Sequence, residues 1–519
     1  MRPSVYLIRP SARCIIQVPF SNIPHRKAAS NFRRLPCAFA FAAPPPTPQA
    51  ACGSGLQWLC EVRVWMRQIL LIGIVVGILG LTVITPQIGL LGYVWFGLMR
   101  PDVLAFSNLP YSIALAALTI VMGLAHHLTD LPRLFTNPIS RLLILMQIPI
   151  ALSVAYAVDV PLAVIPYQRY MKVVVAALLI PWLIHNLVWL QRLVLVMTFS
   201  LGAIAAKFAL FSLMHGGVHF PRGHGGGLIG DSNGMAMAMT MLLPMCWYGQ
   251  GLIRQKWFKP LVFGLAVSAT ITLVGTGSRG CSVAAGCVLL LMALRSKYKL
   301  AAAAGMVILI VPAIYIASDF YFERMQTLQD AEADSSIAGR FELISAAVAM
   351  WKDYPLLGVG FGEENWTALA SNYLGEPTHL RVHNTYLQIL VDSGVFAFVL
   401  YVVLLFGTIL WLGISTRATQ KVRQELAFYP RMLQTSLFAY AVASTFYSRF
   451  DFEFVYMLLM TSAAWYAIAQ KELAAAPAAE AAKTDLPSYG APEVPPGPAF
   501  TSRPLPPRRA AGPAASRRS

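Results

Sequence analysis

The sequence predicts an all-α fold, a polytopic membrane helical bundle of about 12 transmembrane helices, and three observations carry that prediction. Of the 519 residues, 57% are apolar and only 12% are charged. Apolar runs recur roughly every 20 to 30 residues from Ile69 to Ile468, the spacing of helices that each cross a bilayer. Finally, runs such as KLAAAAGMVILIVPAIYIA at 299–317 are apolar on every side, whereas a helix on the surface of a soluble core keeps one polar face.

Taken in order, residues 1–65 read as a disordered extension or as a start placed too early. They lack the continuous apolar segment of a signal peptide, because Pro45 to Pro48 interrupt the one candidate. MRQILLIGIVVGILG from Met66, a short basic end leading into a span, reads as the true beginning. Residues 66–472 then form the membrane domain. Within it, 68–99 is two short helices or a re-entrant pair. Further spans are expected near 111–127, 141–158, 169–184, 193–214, 233–251, 259–276, 280–295, 299–317, 384–411, 433–448 and 454–470. Residues 473–519 form a Pro/Ala/Arg-rich tail that cannot bury enough surface to fold.

Charge sets the topology. The basic loops 254–259, 295–299 and 416–424 fall on one side by parity and the basic tail joins them, so that side is cytoplasmic by the positive-inside rule. Residues 215–232, 275–280, 447–452 and a long loop at 318–383 then face the periplasm. The net charge of +17 is no sign of a nucleic-acid partner, because the two tails alone, 1–65 and 474–519, carry +7 and +3 of it. Of the seven cysteines, Cys14, Cys37, Cys52 and Cys60 lie in the extension and Cys246, Cys281 and Cys287 in apolar runs. Their spacing fits neither a disulfide framework nor a metal site.

The expected outer face is where chemistry collects. Arg279, Arg340, Arg381, His383, Arg449 and Asp451 all fall there, against the charge bias that insertion favours. Any one arginine alone also reads as a snorkelling residue; the set reads as a site. Arg279, inside GTGSRG, sits at a helix start where backbone N–H groups and a cation together suit an anion. Arg340 lies in an amphipathic helix over 338–352, with Phe341, Ile344, Val348 and Trp351 at helical spacing, Ser335 or Ser336 as the cap and DYPLLGVGFG as the end. His383 precedes a helix whose dipole disfavours imidazolium, which keeps the ring in the neutral form of a general base. Asn384, Tyr386 and Gln388 are placed to orient it or to bind hydroxyls. Asp392, about 13 Å further along a continuous helix, is a buried packing group.

The stretch from GRFELISAAVAMWKDYPLLGVGFG through HNTYLQILVDSGVFAFVLYV resembles the O-antigen ligase and polymerase superfamily of bacterial membrane glycosyltransferases. DSNGMAMAMTMLLPM at 231–245 and GSRG at 277–280 extend the likeness, and QIGLLGYVWFGLMRPDVLAF resembles the exosortase-associated O-glycosylation ligase subgroup. The resemblance implies a multi-pass protein of the bacterial inner membrane that moves a glycan from undecaprenyl pyrophosphate to a hydroxyl acceptor on the periplasmic face, with inversion and with no cofactor or metal. It implies pyrophosphate binding by Arg279 and Arg340 and an acceptor base at His383. Arg381, Asn384, Tyr386, Arg449 and Asp451 become candidates for acceptor binding or for support. A polysaccharide polymerase and a protein O-oligosaccharyltransferase remain open within the superfamily. A transporter or flippase of lipid-linked sugar fits less well, because charge collects at one face and no repeat symmetry is visible.

Overall fold

The computed structural model describes residues 57–107, 109–214, 230–253, 255–296, 335–375 and 381–484, with isolated positions between 299 and 307. The chain divides into Met1–Ala42, which lies outside the described residues, and Ala43–Ser519, which contains every element below. All regular structure among the described residues is helical.

Helix α1 (Gln57–Ile84), 28 residues long, and α2 (Pro86–Met99) cover the region expected as two short helices or a re-entrant pair, with a single break between them. Thr85 is extended there because the ring of Pro86 disfavours helical backbone before it, and Pro86 itself opens α2, where its missing N–H costs nothing. Helix α1 also runs upstream of Met66, so residues 57–65 are helical, while 1–56 lie outside the described residues. A short α3 (Pro101–Ala105) leads to α4 (Tyr111–His127), α5 (Arg133–Thr136), α6 (Pro138–Ala155), α7 (Val160–Leu183) and α8 (Leu187–Met214). Then come α9 (Ser232–Gly249), α10 (Lys259–Gly275) and α11 (Arg279–Arg295), close to the expected spans. The span expected at 299–317 falls largely outside the described residues, as do 318–334 and 376–380 of the loop expected at 318–383. Beyond them stand α12 (Ser335–Asp353), α13 (Glu363–Leu374), α14 (Thr385–Val422), α15 (Phe428–Ala443) and α16 (Glu453–Thr484), the last reaching into the segment expected to be a disordered tail.

Seven described helices are long and apolar enough to cross a membrane: α1, α4, α6, α7, α8, α10 with the turn before it, and α14. That is fewer than the expected 12, and burial accounts for part of the difference. In α9, Gly234 through Cys246 are buried without interruption, and in α16 so are Phe454 through Trp465. A helix surrounded by helices meets little lipid, so its sequence is free to carry serine, threonine and proline. Those groups hold the inner helices together: Ser436 Oγ donates to the Met241 carbonyl, Asn137 Nδ2 to Ala463 and Trp465 Nε1 to Ser415 Oγ, at 2.8–3.0 Å.

Helix α14 is not the continuous rod expected from its sequence. Gly394 has φ +73° and ψ −176°, which splits it into a short first segment and the spanning one. The PLLGVGFG turn lies against this break: Val359 and Gly360 N–H donate to the Val391 and Asp392 carbonyls, and Val395 N–H to Pro355. A Cβ on Gly394 would stand 2.1 Å from the Leu356 carbonyl oxygen, so only glycine permits the approach. Asp392 is buried at the break, as expected of a packing group.

Helix α12 exists where an amphipathic helix was expected, but it buries a different face. Leu343, Ala346, Ala347 and Met350 pack with Val359, Trp366, Val382 and Val391, whereas Phe341 is 69% exposed. The buried face is turned from the expected one, with Ala346 and Ala347 between Leu343 and Met350 allowing close packing.

Candidate functional site

Two helix starts meet at one end of the bundle. Asp231 caps α9, its carboxylate accepting the Gly234 N–H at 2.8 Å. Helix α11 begins at Arg279 with Ser278 as a cap residue whose side chain makes no capping bond. The left-handed Gly277 (φ +64°) turns the chain between α10 and α11. Gly280 leaves room for the Phe446 ring, since a Cβ there would stand 2.4 Å from that side chain. Cys281 Sγ, facing the Asn233 carbonyl at 3.7 Å, ties the two starts together.

Between them lies a cavity of about 150 Å³ lined by Ser232, Asn233, Thr276 to Gly280, Arg340 and Phe446. Arg279 and Arg340, the two residues singled out for pyrophosphate, therefore border the same space although 60 positions separate them in sequence. Guanidinium groups and helix N-termini act with the same sign, so the cavity favours an anion.

His383 sits next to this arrangement. It occupies left-handed backbone (φ +55°) just before Asn384, and the ring is partly buried with Nδ1 making no hydrogen bond to a described residue. Its pKa is lowered from the ordinary histidine value, as expected, but the cause is different. Burial contributes most, followed by the charges of Arg340 and Arg381. Arg340 thus borders the cavity and also adds to the lowering of the His383 pKa.

The supporting candidates separate into structural roles. Asn384 caps α14, accepting the Tyr386 and Leu387 N–H groups, while its own N–H donates to Ser448 Oγ. Tyr386 donates to the Ala441 carbonyl at 2.8 Å and packs against the core. Arg381 pairs with Glu363 in the first turn of α13. Burial pushes the Glu363 carboxyl above the usual carboxylate range, while Arg381 pulls it back. Arg449, with its side chain 14% exposed, joins Asp231 at 3.3 Å and Asp451 at 3.2 Å. Its backbone N–H donates to Thr385 Oγ1, so it braces the starts of α9 and α14 against the α15–α16 turn. Gln388 Oε1 accepts the Phe450 N–H in that turn.

Asp231 and Glu363 are the residues that reading the sequence missed. The signal for Asp231 was present, since Asp-Ser-Asn-Gly before an apolar run is an N-cap pattern. Glu363 had none, because only folding sets it beside Arg381. No cluster of three His, Cys, Asp or Glu side chains at this end has metal-binding spacing among the described residues.

An all-helical membrane protein with an arginine-bordered cavity near a histidine of lowered pKa is the class these features define. Residues 263–402 match the family described as O-Antigen ligase, and residues 66–248 match one described as Family of unknown function (DUF5935). No curated protein matches the chain. The first segment contains Arg279, Arg340, Arg381 and His383; the second contains Asp231, Ser232 and Asn233. The cavity is therefore lined from both matched segments and by Phe446, which with Arg449 and Asp451 lies beyond either.

Proposed function

We propose that this protein transfers a glycan from an undecaprenyl-pyrophosphate-linked donor to a hydroxyl acceptor, in the manner of an O-antigen ligase. The observation that carries the reading is the shared cavity: Arg279, Arg340 and two helix starts face one small space, and Arg340 also acts on His383. The O-Antigen ligase match over 263–402 supports the same chemistry.

In the proposed step, Arg279 and Arg340 hold the donor's pyrophosphate. His383 accepts the proton of the acceptor hydroxyl as its oxygen attacks the anomeric carbon from the side opposite the phosphate. The C1–O bond breaks, its electron pair leaves on the pyrophosphate, and the configuration at C1 inverts. The arginines stabilise that departing charge, each contact contributing on the order of 2–4 kcal/mol in a dry site. His383 suits the base role because its ring is held neutral. Arg381, Asn384, Tyr386, Arg449 and Asp451 hold the mouth in shape around it.

We place this mouth on the periplasmic face of the bacterial inner membrane. Arg295 and Arg423, from the basic loops, sit at the opposite end, where Arg295 meets Gln434 and Arg423 meets Glu472. The partners are then the lipid-linked glycan, an acceptor hydroxyl on lipid, glycan or protein, and the bilayer. The exosortase-associated subgroup rests on residues 87–106 alone, which form α2, α3 and the turn between them rather than the cavity.

The test is transfer of glycan from undecaprenyl pyrophosphate in reconstituted membranes. His383→Asn keeps a residue tolerant of left-handed backbone but removes the base. Transfer should fall roughly 10²- to 10⁴-fold, with donor binding largely retained. Near-normal transfer by this variant would remove His383 from the chemistry.

A further inference from the structure

The opposite end of the bundle holds a second cluster. Asp159, at the start of α7, bonds Asn365 on the His383 side. His185 follows the far end of that helix, whose 24 residues span roughly 36 Å at 1.5 Å each. There the last residue of α4, the 128–130 turn and the α7–α8 junction bring His127, Asp130 and His185 together. His127 Nδ1 lies 3.2 Å and His185 Nδ1 3.7 Å from the same oxygen, Asp130 Oδ2. One ligand atom from each of the three side chains falls within 4.8 Å of the others.

We propose that His127, Asp130 and His185 bind a divalent transition-metal ion of the zinc type, with a fourth position open to water. The donor set chooses the class of ion. Two imidazoles and a carboxylate suit zinc, whereas calcium and magnesium ask for oxygen-rich shells. The spacing fits as well: bonds near 2.1 Å place tetrahedral ligands roughly 3.4 Å apart, between the 3.2 and 3.7 Å found here.

The surroundings hold the three side chains in place. Arg133 takes the other carboxylate oxygen, Asp130 Oδ1, at 3.0 Å, which leaves Oδ2 turned to the histidines. Its positive charge opposes the ion and sets a ceiling on affinity. Gln87 Nε2 lies 3.1 Å from His127 Nε2 and 3.3 Å from the Leu183 carbonyl, and Trp182 Nε1 donates to the His127 carbonyl at 2.9 Å. The nitrogen that faces Asp130 Oδ2, and would meet an ion there, is His185 Nδ1; its Nε2 is buried with no hydrogen-bond partner among the described residues and takes no part in the site. The three side chains are nevertheless 18–23% exposed, so an ion can enter. Once bound, the ion links the end of α4 to the α7–α8 junction.

The test uses the full chain, purified in detergent, stripped with a chelator and titrated with Zn²⁺ by calorimetry and thermal melting. One Zn²⁺ should bind per chain and raise the melting temperature, and Mg²⁺ should do neither. His185→Ala and His127→Ala should each weaken binding at least tenfold, while His126→Ala, which removes the exposed neighbouring histidine, should bind as the parent does. Absence of saturable one-to-one binding by the unmutated chain overturns the proposal even where a variant fails to fold. Equal binding of Mg²⁺, or unchanged affinity in folded His185→Ala, overturns it too and leaves a hydrogen-bonded cluster around Asp130.

Discussion

The mouth contains two kinds of arginine, and their difference separates ligand chemistry from scaffold. Arg279 and Arg340 border the cavity together with the starts of α9 and α11. Arg381 and Arg449 lie outside its lining and lock onto Glu363, Asp231 and Asp451. All four look alike in the sequence, as basic residues placed where insertion disfavours them. What the assembled helices add is their placement: the first pair borders the cavity, and the second pairs with acids from neighbouring elements without lining it.

Substitutions sharpen that contrast. The largest effect belongs to the cavity pair. Arg279→Ala or Arg340→Ala should lower the transfer rate roughly 10- to 10³-fold and weaken binding of the lipid donor, because each cation acts on charge present before and during bond breaking. Both are read from donor titrations in reconstituted membranes. If either alanine variant kept its rate and donor affinity, the cavity would lose its assignment as the pyrophosphate site.

Arg449→Ala should act in a different measurement. It strands Asp231 and Asp451 and loosens the junction of α9, α14 and the α15–α16 turn, costing about 1–3 kcal/mol of stability. Thermal melting in detergent would show the loss, while donor affinity per folded molecule stays near that of the parent. A drop in donor affinity without a change in melting would move Arg449 to the cavity pair.

The smallest effect is a shift in pH dependence. Burial, then Arg340 and Arg381, depress the His383 pKa, so the ring remains a base as pH falls through the ordinary histidine range. The rate should therefore decline only below that range. Protonation favours the unfolded chain for the same reason, so the stability His383 contributes is lost as pH falls through the depressed pKa. Arg340→Gln removes one of the depressing charges and should move the acid limb of the rate profile upward. An unmoved limb would mean that Arg340 acts on the donor alone.

Much of this was legible before folding. Starts and ends of α4, α9, α10 and α11 lie within three residues of their expected positions. Such boundaries are local events, written by proline, glycine and caps at the ends of apolar runs. The break in α14 is different: the sequence offers one glycine in an apolar helix, and it becomes a break only because the 355–362 turn packs against it. Likewise, the sequence alone does not show which of the expected spans are walled in by others, as α9 and α16 are.

By itself the sequence determined the helical class, the basic loops and the candidate residues Arg279, Arg340 and His383, because hydropathy, charge and turn chemistry act over a few neighbouring residues. Tertiary structure alone decided that Arg279 and Arg340 share one cavity, that Arg340 helps keep His383 neutral, and that Glu363 and Asp231 claim the other two arginines. It also set His185 beside His127 and Asp130. These are meetings between distant segments, fixed by how helices pack, and no local pattern of residues encodes a distance across the bundle.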